Sequence, residues 1–144
     1  MTRHFDSYTQ ARRELRTVLD TASTGRVTTV RREQETLAVV DAGLLREQLT
    51  RLQPSQAVVT AEGGGWAAWI PGLPVHGEGD TFDEAIADLI DALREYAEDW
   101  NDRLLTAPNH RNSWALVELV ELSSDEQLRE WLLAAAAEPV LTAR

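Results

Sequence analysis

Apolar side chains recur at spacings of three and four through Tyr8, Ala11, Leu15, Val18, Leu19 and Ala22. That spacing predicts one helix with a single buried stripe. Ser7 or Thr9 can cap its start, and Gly25 can end it. Thr9, Arg12, Arg13 and Arg16 share the side opposite the stripe. Two β-rich runs follow, Val27 to Arg32 and Leu37 to Val40, split by polar Glu33, Gln34 and Glu35, which predicts a hairpin. Asp41 then caps a second helix with Leu45, Leu49 and Leu52 inside it, and Arg3 to Phe5 can add a short first strand. Pro54 and Ser55 mark a boundary.

Beyond it, Gln56 to Thr60 reads as a strand, Gly63-Gly64-Gly65 as a turn, and Trp66 to Ile70 as a second strand stopped by Pro71, Gly72 and Pro74. Gly77-Glu78-Gly79-Asp80 reads as a tight loop. Thr81 and Glu84 form a T-x-x-E capping box that opens the clearest helix of the chain. Its predicted buried stripe is Phe82, Ile86, Leu89, Leu93, Tyr96, Trp100 and Leu104, with Asp88, Asp91, Glu95, Glu98 and Asp102 on the wet face and Pro108 closing it. The unit is therefore β-β-α. In the tail, Trp114, Val117 and Val120 can face one way on a short helix. Ser123 with Glu126 makes a second capping box ahead of Leu128, Trp131 and Leu132. So short a tail buries little by itself and must pack on the second module, another copy or a partner. The fold class expected is α+β in three parts, at residues 1–53, 54–107 and 108–144.

Charge changes the picture more than composition does. The 144 residues carry a net charge of −10, which by itself argues against nucleic acid. The charge is unevenly spread, however. Residues 1–53 hold nine arginines against seven carboxylates, a balance of +2, while residues 54–144 hold five against 17, a balance of −12. All 14 basic residues are arginine, the better bidentate reader of phosphate and guanine. The absence of cysteine removes disulfides, thiolate nucleophiles and Cys-ligated zinc. No apolar run approaches the ~18 residues of a membrane helix, and MTRHFDSY lacks the apolar segment of a signal peptide. A cytoplasmic location, with no membrane association, is expected.

Catalytic signatures are missing. His4, His76 and His110 do not fall in H-x-x-x-H or H-E-x-x-H spacing. The three adjacent glycines lack a P-loop context, and no G-x-S-x-G elbow exists. His76 with Glu78 or Asp80 could pair in a loop, but a surface turn is the plainer account. The acidic stripe is continuous at solvent positions, as a solvated face is. No enzyme activity, metal or cofactor is expected.

Two segments carry family patterns. YTQARRELRTVL, Tyr8 to Leu19, resembles the opening helix of Phd/YefM-type antitoxins, roughly [ST]-x-A-R-x-x-L-x-x-[VL]-L. Thr9, Ala11, Arg12, Leu15, Val18 and Leu19 fill it. Gly25, Val27, Val30, Arg31, Arg32 and Leu37 to Val40 match the Gly and two strands that follow in that family. The turn glycine is replaced by Glu33-Gln34-Glu35, and Thr36-Leu37 stands where proline is usual. Gly64 to Tyr96 resembles HicB-type antitoxins, through Gly64, Gly65, Trp66, Ala68, Pro71, Leu73, Pro74, Gly77, Gly79, Thr81, Asp83, Glu84 and Ala85. Val75-His76 replaces the usual Gly-Cys, and the DNA-binding candidate here precedes this domain instead of following it.

The resemblances imply a type II antitoxin. A Phd/YefM-like head would form a homodimer and bind operator DNA through Arg3, His4, Thr9, Arg12, Arg13, Arg16 and Arg31, helped by backbone N–H groups at the first helix N-terminus. A HicB-like domain and the tail would hold a cognate RNA-cleaving toxin of RelE/ParE or HicA type. Asp91, Glu95, Glu98, Asp102, Trp114 and Trp131 are the candidates for that contact. The alternative is a stand-alone transcription regulator whose HicB-like domain senses a ligand, and a nuclease built on that scaffold comes last.

Overall fold

The computed structural model describes residues 2–142, with side chains described for all of them except 109, 111 and 135–142. The architecture is α+β. The chain divides into two compact units, the first ending at Gln48 and the second beginning at Leu49.

The first unit contains β1 (Arg3–Phe5), α1 (Tyr8–Arg13), α2 (Leu15–Ser23), β2 (Thr28–Arg32) and β3 (Glu35–Val39). The sheet order is β1-β2-β3. β1 runs parallel to β2, and β2 pairs antiparallel with β3 from Thr28↔Val39 to Arg32↔Glu35. The hairpin turn is Glu33-Gln34, with Glu33 at φ 55 in a region that non-glycine residues seldom adopt. Phe5, Ala11 and Val18 form the core, with Val30 and Val39 packed against them. Buried Thr28 stands beside Val18 and donates its hydroxyl to the Val18 carbonyl at 3.4 Å.

The single helix expected from Tyr8 onward is two helices. Glu14, at φ −113 and ψ 33, leaves the helical region between them while its N–H still bonds the Gln10 carbonyl. The break divides the expected stripe. Ala11, Val18 and Ala22 are buried, but Tyr8 is exposed and Leu15 and Leu19 are each 54% exposed. On α2, Val18 and Ala22 are four apart, as are Leu15 and Leu19, so each pair shares a face. Only the first pair is buried.

α3 (Ala42–Leu52) crosses the division between the units, capped by the Asp41 carboxylate, which accepts the Leu44 N–H at 3.0 Å. Leu49 is buried, whereas Leu52, expected inside, is 80% exposed.

The second unit contains β4 (Val58–Glu62), β5 (Gly65–Trp69), β6 (His76–Gly79), α4 (Phe82–Asp99), α5 (Trp114–Leu122) and α6 (Asp125–Thr142). A π-helical turn, Trp100–Leu104, extends α4, and a 3-10 segment, Pro108–Ser113, leads into α5. β4, β5 and β6 form an antiparallel meander. The expected tight loop at Gly77 is therefore a strand, and the β-β-α unit is β-β-β-α. Gly77 and Gly79, two apart, present one bare edge of backbone to α4. A Cβ on Gly77 would lie 2.5 Å from the Ala85 carbonyl oxygen, and one on Gly79 2.7 Å from the Ala85 nitrogen.

α4 starts at the expected capping box. Thr81 Oγ1 accepts the Glu84 N–H at 3.1 Å and Glu84 accepts the Thr81 N–H at 3.1 Å. Its buried face is Ala85, Ile86, Leu89, Ile90, Leu93, Tyr96 and Ala97, continued by Trp100. Phe82 is half-buried and meets Trp66 edge-to-face at 5.4 Å. The cap of α6 lies one residue beyond the Ser123–Glu126 expectation. Ser124 and Gln127 exchange backbone and side-chain bonds at 2.9 and 3.1 Å, and Ser123 instead donates to the Leu119 carbonyl at the end of α5. Among the described residues no helix is long and apolar enough to cross a membrane.

Candidate functional site

The arginine-bearing surface of the first unit starts from α1. Ser7 caps this helix by accepting the Gln10 N–H at 3.1 Å, and Gln10 returns a bond to the Asp6 N–H at 3.3 Å. The cap thus takes up part of the N–H set that sequence reasoning assigned to phosphate. Thr9, Arg12 and Arg13, at i, i+3 and i+4, share a face of α1 and are all exposed. Arg12 lies 5.9 Å from the Tyr8 ring centroid, a cation–π placement that orients its guanidinium. Arg13 makes no ion pair among the described residues.

The other four candidates lie outside α1. Arg16 lies beyond the Glu14 break on α2 and pairs loosely with Asp20 at 3.9 Å. Arg3 stacks 5.4 Å from the Phe5 centroid and approaches Glu14 at 3.8 Å. Strand alternation puts Thr28 and Val30 toward the core, so Thr29 and Arg31 project from the other sheet face. His4 is on that face too, with Nδ1 2.7 Å from Thr29 Oγ1 and Nε2 3.0 Å from Asp6. Of the seven expected DNA contacts, Thr9, Arg12 and Arg13 thus share one face of α1, while Arg3 and His4 are carried on β1, Arg16 on α2 and Arg31 on β2.

On the second unit Asp91, Glu95, Glu98 and Asp102 are exposed, the first three on α4 and Asp102 in the π turn. Nearby, Glu78, Asp80, Glu84, Asp88 and Asp91 line an open polar cleft of about 460 Å³. Two of these carboxylates serve the fold. Glu84 belongs to the capping box, and Asp88 accepts the Glu78 N–H at 2.9 Å. His76 reaches only 3.9 Å from Glu78 on the exposed strand. Among the described residues no group of three histidines and carboxylates is placed to hold a metal ion.

The two tail tryptophans separate. Trp114 is 50% exposed, but Trp131 is 6% exposed and donates its indole N–H to the Gln53 carbonyl at 2.9 Å. Trp131 is a core residue here, because its expected surface role would require breaking that bond and its packing. Trp100 is likewise buried and bonded to the His110 carbonyl at 2.8 Å.

Sequence reasoning missed Arg94, which spans three elements. It donates to the Val120 and Ser123 carbonyls at 2.6 and 2.8 Å and pairs with Asp125 at 2.7 Å. The tail helices are tied to α4 through it. Tyr96 was expected only as an apolar stripe residue, but its hydroxyl also bonds His110 Nδ1 at 2.8 Å and Ser113 at 2.9 Å. An acidic or amphipathic helix followed by helices gives no pairwise signal for either network.

Glu118 of α5 is half-buried. Burial pushes its carboxyl above the usual glutamate range, and the charge of Glu121 adds to the push. The folded state therefore holds this proton more tightly than the unfolded chain, so stability rises as pH falls toward the ordinary glutamate value. Glu118→Gln should leave the protein at least as stable as the parent at pH 7, with a smaller advantage at pH 4.5, the ordinary glutamate value. Urea titrations at both pH values check this, and a lower midpoint for the variant at pH 7 contradicts it.

A family model described as antitoxin of toxin-antitoxin, RelE/RelB, TA system, matches residues 1–134 of this chain. In structure, the chain is similar to a crystallised protein from Syntrophomonas wolfei subsp. wolfei, described as an antitoxin part of a toxin/antitoxin system. The TM-score is 0.75 at 22% identity, covering 91% of this chain and 95% of that one. No curated protein matches the sequence.

Proposed function

We propose, from the premise that this chain belongs to the PHD-like family of toxin-antitoxin antitoxins, that it neutralises a cognate toxin by direct binding and represses its own operon. The observation that carries the proposal is the division of charge between the two units. The first, residues 1–48, holds an exposed Thr9–Arg12–Arg13 ridge and a balance of +1, and the second, residues 49–144, holds six arginines against 17 carboxylates, a balance of −11. Phosphate seeks the one, and a basic, RNA-handling toxin complements the other. The family description names RelE, which favours a RelE/ParE-type toxin over a HicA-type one.

The first unit is a Phd/YefM-like head in this proposal. Exposed Leu15, Leu19 and Leu37 supply apolar area for pairing with a second copy, and a dimer would present two arginine ridges to a palindromic operator. The second unit is HicB-like, which its β4–β5–β6–α4 order and its G-x-G strand support.

Gel shifts on the promoter DNA of the chain's own operon test the first half. Arg12→Ala and Arg13→Ala should each weaken binding roughly tenfold, and each should reduce the salt slope by about one. Arg31→Ala, on the other sheet face, should change binding less. Equal affinity for all variants and the parent would refute operator contact by the ridge. Copurification with the products of adjoining reading frames tests the second half.

A further inference from the structure

Trp114 is the one exposed aromatic side chain among the described residues of the second unit. It opens α5 and is followed at i+4 and i+7 by Glu118 and Glu121, so the three form a ridge along one helix face. Val117 and Val120, 0% and 1% exposed, point the other way into the core. Glu121 is held from the side, where the Asn101 amide of the π turn donates to its Oε1 at 2.8 Å. The ridge therefore combines a large apolar surface left in water with two like charges one turn apart, an arrangement that costs a free helix stability.

We propose that the Trp114–Glu118–Glu121 ridge is the docking surface for the toxin, with Trp114 as the apolar anchor and the two glutamates seating a guanidinium of that basic protein. The inference rests on the antitoxin reading above and names its contact surface. Charge complementarity selects the occupant. Nucleic acid is repelled by the glutamates, and a second copy of the ridge would meet like charge. An arginine satisfies both carboxylates and can stack on the indole. The raised affinity of Glu118 for its proton fits the same account, because among the described residues this half-buried carboxylate has Glu121 beside it and no ion-pair partner, and a partner can bring the cation. Asp91, Glu95 and Glu98 on α4 are acidic but have no exposed aromatic residue beside them on that helix, and they serve to steer the approach.

The test uses the full chain and the protein encoded by the adjoining reading frame, with affinity measured by titration calorimetry. Trp114→Ala should weaken binding about 30-fold or more, as a hot-spot truncation does. Glu121→Arg should weaken it at least as far, and Glu118→Gln with Glu121→Gln should flatten its salt dependence. Trp114 is half in water, so thermal melts of Trp114→Ala should stay close to the parent, which separates binding from folding. Unchanged affinity for Trp114→Ala and Glu121→Arg, with the parent binding, overturns the ridge and leaves the antitoxin reading standing. A parent chain that does not bind this protein overturns the antitoxin reading, and the ridge with it.

Discussion

Gly77→Ala should lower the stability of the second unit by about 3 kcal/mol or more, the upper part of the range for forced overpacking. The new Cβ would overlap the Leu89 nitrogen and sit 2.5 Å from the Ala85 carbonyl oxygen and 2.8 Å from the Leu89 Cα. All three are backbone atoms of α4, so no side chain can rotate away to make room. The helix must withdraw from β6, and that opens the contact holding Ala85, Leu89 and Leu93, each 0% exposed. Gly72 is a useful contrast. It has φ +87 with open space around its Cβ position, so Gly72→Ala meets only backbone strain, about 1 kcal/mol. Urea unfolding followed by circular dichroism measures both. A Gly77→Ala midpoint equal to the parent, or one shifted less than that of Gly72→Ala, would show that α4 does not sit on β6 as described.

Arg94→Ala should cost the same unit about 2–3 kcal/mol, since hydrogen bonds to a charged group contribute roughly 1.5–3 kcal/mol each and this side chain is partly in water. The guanidinium satisfies the Val120 and Ser123 carbonyls near the end of α5 and meets Asp125 at the start of α6. Removing it leaves part-buried carbonyls without this donor and unties the α5–α6 corner from α4. Arg94→Lys should recover less than half of the loss, because a single ammonium cannot reproduce the planar fork. Limited proteolysis should find new cleavage within residues 119–126 of Arg94→Ala. An intact α5–α6 corner with an unshifted urea midpoint would contradict the assignment. Because the proposed toxin ridge lies on α5, this variant should also weaken toxin binding, whereas Arg13→Ala should not.

Much of the fold was legible along the chain because its signals are local. The Ser7, Asp41 and Thr81 caps each satisfy a backbone N–H within a few residues, so their chemistry is written in order. The hairpin and the β4–β5 pair came within one or two residues of their observed limits. Strand β6 was misread because glycine is depleted in strands, and H-G-E-G offers no alternation to count. The division between α1 and α2 was missed because Glu14 is neither glycine nor proline and carries no breaker signal. At the candidate site, the arginines and carboxylates were visible as residue types. Their placement was not, since the break at Glu14 puts Arg16 on a separate helix and strand alternation sends Arg31 to the sheet face away from the core.

The amino-acid sequence by itself determined the local elements, the caps, the amphipathic stripe of α4 and the opposed charges of the two ends. Each of these depends on residues only a few positions apart, or on composition alone. Tertiary structure decided which apolar residues are spent on the core and which remain on the surface. Trp114 and Trp131 have the same side chain on neighbouring helices of the tail, yet one is half in water and the other is bonded to Gln53. Leu15 and Val18 belong to one sequence stripe, yet only Val18 is buried. Burial depends on which faces meet across the fold, and so does whether a tryptophan holds the protein together or remains available to a partner.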